Sequence, residues 1–245
     1  MIKILKFSNG SGYNKLTNFL DQRRNSNNTD VDLVNKIIND VKKNKLKALK
    51  KYEKKYSKNK EIKLSKKKIN NSIKYLDQNV KKAIDYAYER IFKFHKLQIK
   101  NFKKIKFVDK YKNKLEYKSI PIDSVGVYVP GNLPSTLLMN CIPAKIAGVR
   151  RIILATPKIN NTLNPAVLYA AKKLGIKEIF SMGGAQAIAS LAFIQKVNKV
   201  VGPGNKYVAE AKRQLSGKII GTETMYAGAS EICVLADKDS DISQV

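Results

Sequence analysis

The sequence predicts an α/β protein, a parallel-sheet domain preceded by a helical N-terminal segment, and three observations predict it. From Ser124 onward, short apolar runs alternate with helical stretches of about ten residues, the arrangement of βαβ units. Upstream, apolar residues recur at steps of three and four, the spacing of amphipathic helices. The charge divides the same way. Residues 1–120 hold 34 Lys and Arg against 11 Asp and Glu, whereas residues 121–245 hold 14 against 8.

The first half reads as follows. Residues 2–7 suit a short strand, and the Asn-rich stretch 25–30 suits a loop, with Thr29 or Asp30 placed to cap a helix. Leu33, Val34, Ile37, Ile38 and Val41, then Leu46, Leu49, Tyr52 and Tyr56, mark the buried face of that helix. A second continuous helix is expected from Ser65, with Ile69, Ile73, Leu76, Val80, Ile84, Ala87, Ile91 and Phe94 along one side. The many lysines fall on the opposite, solvated faces. Residues 104–122 alternate in polarity and predict an antiparallel strand pair.

The second half is expected to run strand 124–129, turn 130–132 and helix 136–147, with Pro143 kinking or dividing that helix. Strand 151–156 stops at Pro157. Helix 165–174 has proline at its start and Gly175 past its end. Strand 178–182, helix 184–193, strand 199–201, helix 206–215 and strand 231–237 complete the series.

Bulk properties exclude several classes. No apolar run approaches the ~20 residues of a membrane span, and the apolar stretch at the N-terminus is too short for a signal peptide. Two cysteines, Cys141 and Cys233, cannot make a disulfide framework, so a cytoplasmic setting is expected. The net charge of +29 raises nucleic-acid binding as a possibility. Arginine, however, occurs 6 times against 42 lysines, and the lysines are dispersed. Abundant Asn, Ile and Tyr point to an adenine-thymine-rich coding sequence instead, and specific nucleic-acid binding is not expected.

Ligands of a parallel sheet bind at the carboxyl ends of its strands. Three turns belong there: residues 128–132, 181–186 and 201–205. Tyr128 offers a ring and a hydroxyl, and Gln186 and Asn205 offer amides that donate and accept. Taken singly, each glycine-containing turn is explained equally well by tight packing, and no Gly-x-Gly-x-x-Gly or phosphate loop is present. The single histidine, His95, lies on a Phe-rich helical face and reads as a core or interface residue. Cys141 and Cys233 read as small buried hydrophobes. Neither a zinc ligand set nor a tuned general base is expected in this chain.

As a set, these segments resemble the histidinol dehydrogenase family. The matching stretches are residues 124–131, Leu138-Met139-Asn140 with Pro143-Ala144, residues 183–189 with 191–193, residues 201–205 with 210–213, and residues 227–231 with Ala236-Asp237. The resemblance implies two Rossmann-like, aldehyde-dehydrogenase-like α/β units, the first split and the second inserted in it. Residues 1–120 would begin the split unit, 121–230 would form the cofactor-binding domain, and 231–245 would return to the first unit. It implies two NAD-dependent oxidations of histidinol, through the aldehyde, to histidine, with a zinc ion orienting the substrate and a Glu-His pair as acid and base. By position, Tyr128, Gln186 and Asn205 match the family's NAD contacts, and Ser230 matches a substrate contact. Three departures stand out: Asn132 where the family usually has glycine, in a turn that is a few residues short before Leu137; a short segment between Phe193 and Lys199; and Ala229 where the family usually has proline. The family's zinc ligands and Glu-His pair lie beyond the position matching Asp237. The chain is therefore expected to be an NAD-binding N-terminal part, inactive alone, with the other half either supplied as a complementing C-terminal piece or lost, in a family that suggests a homodimer. The alternative is a decayed dinucleotide- or nucleic-acid-binding module without catalysis.

Overall fold

The computed structural model describes residues 13–18, 21, 28–99, 104–159, 162–223 and 241. Residues 13–18 are helical, and α1 (Asn28–Ser57), α2 (Lys66–Lys74) and α3 (Gln78–Gln98) follow, then a hairpin of β1 (Ile105–Val108) and β2 (Lys114–Tyr117). The α/β series follows: β3 (Ser124–Tyr128), α4 (Pro134–Ile146), β4 (Arg151–Thr156), α5 (Pro165–Lys173), β5 (Glu178–Ser181), α6 (Gly184–Phe193), β6 (Lys199–Val201), α7 (Lys206–Leu215) and β7 (Gly221–Thr222). Strands β3 to β7 form one parallel sheet in the order β5-β4-β3-β6-β7. The predicted α/β class and the antiparallel pair at 104–122 are both present. The predicted strands at 2–7 and 231–237 lie outside the described residues.

Helices cover both faces. Because successive strand residues point to opposite sides, Ile153 and Ala155 of β4 enter one core cluster and Leu154 the other. The first cluster packs α1, α6 and α7, through Val34, Ile38, Leu49, Ile188, Leu191 and Val208. The second packs α2 to α5, through Ile73, Ile84, Leu137, Ile142 and Leu168. Gly126 lets α6 close on β3: a Cβ there would stand 2.9 Å from both methyl carbons of Leu191.

The structure corrects several local expectations. The helix starts at Asn28, so Asp30 lies inside its first turn and pairs with Lys206 at 2.6 Å instead of capping. It is also broken at Lys45, whose φ is +46°. Asp40 fastens the two halves across the break, accepting from Asn44 Nδ2 at 2.7 Å, Lys51 Nζ at 2.9 Å and the Tyr52 hydroxyl at 2.9 Å. The expected single helix from Ser65 is two, because Asp77 caps α3 by accepting from the N–H groups of Asn79 and Val80. Pro143, in contrast, does not divide α4, which runs through it as one element.

The connection between α1 and α2 is structural. Lys63 pairs antiparallel with Phe180, Ile62 O accepts from Ser181 N at 2.6 Å, and Leu64 N donates to Ile179 O at 3.0 Å. This segment satisfies the outer edge of β5, which would otherwise present free backbone groups.

Candidate functional site

Strand order defines where a ligand fits. The chain runs outward from β3 to β4 and β5, then returns to the other side of β3 for β6 and β7. The direction reverses between β3 and β6, and a crevice opens outside the carboxyl ends of neighbouring strands at such a reversal. The loops there are residues 129–133 and 202–205. They are closely fitted: a Cβ on Gly202, whose φ is +105°, would lie 2.0 Å from the carbonyl oxygen of Tyr128. Only glycine lets the second loop rest on the end of β3.

Tyr128 and Gln186 meet at the start of α6. The Tyr128 hydroxyl accepts from Gly184 N at 3.4 Å. The ring is 4% exposed and belongs to the first core cluster, so it is packed rather than offered for stacking. Burial, with Glu53 nearby, pushes its phenol above the ordinary value. Gln186 is also buried, and its Nε2 donates to Glu53 Oε1 at 2.9 Å. Asn205, exposed at the head of α7, uses Oδ1 to accept from Val208 N at 3.2 Å. It joins the others only through Gly202, three residues earlier, seated on Tyr128. Ser230 lies outside the described residues.

Two charged residues at this rim were not anticipated. Glu53 of α1 is 1% exposed and places Oε1 on Gly183 N at 2.9 Å as well as on Gln186. Burial raises its pKa above the ordinary carboxylate range, although those donors pull it down. Lys212 of α7 is 5% exposed, and its ammonium donates to Gly202 O and to Glu223. Both residues occupy the apolar stripe of their helix. Glu53 stands four residues after Leu49, and Lys212 four after Val208. A charge at such a position is a signal for a buried partner, though 42 lysines hide it in the second case.

The remaining candidates fall elsewhere. His95 is half-buried near the end of α3, with Nδ1 2.6 Å from Gln98 Oε1, rather than in a core. It borders a cavity of about 610 Å³ between α3, α4 and residues 119–122, which also reaches Lys199 and Val201 of β6. Cys141 is buried and burial pushes its thiol up to about 12, as a structural cysteine requires. Cys233 lies outside the described residues. Among the described residues, no three or more His, Cys, Asp or Glu side chains gather to hold a metal, and no helix is long and apolar enough to cross a membrane.

Comparison with known proteins gives a consistent result. The family model for histidinol dehydrogenase matches residues 20–245. The histidinol dehydrogenase of Pelagibacter ubique is 52% identical over 98% of this chain and 57% of its own length. That of Thermococcus kodakarensis is 38% identical over 86% of this chain and 56% of its own length. The crystal structure of the Elizabethkingia anophelis histidinol dehydrogenase superposes with a TM-score of 0.74 at 36% identity, covering 80% of this chain and 47% of that one. The chain thus spans about half the length of these relatives.

Proposed function

This chain belongs to the histidinol dehydrogenase family, and on that premise we propose that it supplies the dinucleotide-binding part of an NAD-dependent oxidation of histidinol, through its aldehyde, to histidine. The observation that carries the reading is the strand reversal between β3 and β6, with the 202–205 loop seated on Tyr128. Residues 121–230 would form the cofactor unit, with 1–120 and 231–245 belonging to the split unit around it.

The side chains suit the uncharged parts of NAD. Tyr128, Gln186 and Asn205 are neutral hydrogen-bonding groups, matched to ribose hydroxyls and amides. The start of α6 does not suit a phosphate, because Glu53 already places a carboxyl group on Gly183 N. When bound, NAD supplies the hydride acceptor. This chain's part is to seat the dinucleotide against the loops at the strand ends and to keep water from the Tyr128–Gly184–Gln186 corner. The zinc of the family finds no ligand set among the described residues. Substrate contact by Ser230, completion by a C-terminal piece, a homodimeric assembly and a cytoplasmic setting all belong to the same proposal.

Calorimetric titration of the purified chain with NAD tests it. Saturable binding is expected, weakened by Gln186→Ala and by Asn205→Ala. Affinity unchanged in both variants would remove these residues from the site. Addition of a polypeptide matching the remaining part of a relative should then give histidinol-dependent NADH formation.

A further inference from the structure

We propose that Glu53 is a positioning residue that fixes the polarity of the Gln186 carboxamide, so that Gln186 presents its oxygen to a hydrogen-donating group of the ligand. This rests on the cofactor reading above and adds to it the chemistry Gln186 recognises: a hydroxyl or an amide N–H, not a phosphate oxygen.

The two ends of a carboxamide differ only in hydrogen bonding, so the surroundings decide which way it faces. Gln186 faces a single charged partner. Glu53 Oε1 takes hydrogen bonds from Gln186 Nε2 and Gly183 N, each at 2.9 Å. Glu53 Oε2 is buried and has no hydrogen-bond partner. Oε1 has no hydrogen to give while Gly183 N–H points at it. An amide oxygen turned toward it would set two acceptors together in a buried place, with neither satisfied. The nitrogen is therefore held inward, and the oxygen is turned to the Gly184 side. A Cβ on Gly184 would lie 2.9 Å from that oxygen, and Gly184 has a φ of +61°. Glycine there serves the left-handed turn and leaves space beside the acceptor.

Glu53 sits on α1, far along the chain from Gln186. Its influence passes through one amide. Glu53→Leu removes the acceptor, whereas Glu53→Gln keeps an oxygen that can accept from both Gly183 and Gln186.

The test uses the full chain, NAD as probe, calorimetry, and the Gln186 side-chain amide signal in nitrogen-15 spectra. Glu53→Leu is expected to release that amide to solvent exchange and to weaken NAD binding about tenfold, the equivalent of one hydrogen bond. Glu53→Gln should restore both readouts. In a Gln186→Ala background, Glu53→Leu should have no further effect on binding, because the residues act in series. A purely structural Glu53 would instead add its full penalty in that background, which overturns the proposal. If the Leu variant does not fold, the wild type decides: NAD addition must leave the Gln186 amide protected, and its release overturns the proposal. NAD binding that ignores Glu53→Leu defeats this inference alone. No NAD binding by the wild type defeats the cofactor reading and this inference with it.

Discussion

The ammonium of Lys212 donates to the carbonyl of Gly202 ten residues before it, tying α7 back to the loop that precedes it. The same ammonium pairs with Glu223 just beyond β7. One buried cation thus joins three segments at the sheet rim. Lys212→Met leaves a carbonyl and a carboxylate without their donor. It should lower the unfolding free energy by about 1–3 kcal/mol, toward the lower end because Glu223 is partly exposed. Urea unfolding measures this, and a loss under about 0.5 kcal/mol, the size of an ordinary surface change, would contradict the role.

Two glycines should respond differently to alanine. At Gly126 the three atoms nearest the new methyl all belong to the Leu191 side chain, so a cost of about 1–3 kcal/mol is expected, smaller when measured in a Leu191→Ala background. At Gly202 the methyl meets the backbone of Tyr128, and φ is +105°. No side chain can be shortened to make room. Gly202→Ala should therefore be the more damaging change, with no second-site rescue among its neighbours. Thermal melting of the two single variants and the Gly126 pair separates these outcomes.

The pH dependence should carry the signature of Asp40. Its hydrogen bonds to Asn44, Lys51 and Tyr52 hold its pKa down from 3.8 to about 2. A carboxyl depressed on folding stabilises fully above its unfolded value and loses that stabilisation as pH falls through the folded one. The stability difference between wild type and Asp40→Asn should hold steady from neutral pH to about 4, then shrink toward pH 2. A difference that stays flat down to pH 2, read from urea midpoints, would show that the carboxylate does not fasten the two halves of α1.

Much of this architecture was legible in the residues. The spans 184–193, 199–201 and 206–215 match α6, β6 and α7, because Gly-Gly, Gly-Pro-Gly and the apolar spacing act locally. The break at Lys45 was not legible, since neither glycine nor proline marks it and Asp40 stabilises it through side chains a turn or more away. The division at Tyr75 could have been read from Asp77, a capping residue that the apolar repeat at Leu76 and Val80 obscured. At the rim, Tyr128 and Gln186 could be picked as polar residues in turns. Their mutual placement depends on Glu53, and nothing in the local sequence shows which strand end α1 crosses.

The antiparallel bridge between Lys63 and Phe180 bears on how the molecule comes together during synthesis. Residues 62–64 leave the ribosome long before the strand they will pair with exists. Until residues 178–181 emerge, their carbonyls and amides can be satisfied only by water or a holding partner. Closing so long a loop is slow compared with winding the helices on either side of it. The final docking of the lysine-rich helices thus waits on translation of the distant half, and a stall before residue 181 would leave them without their seat.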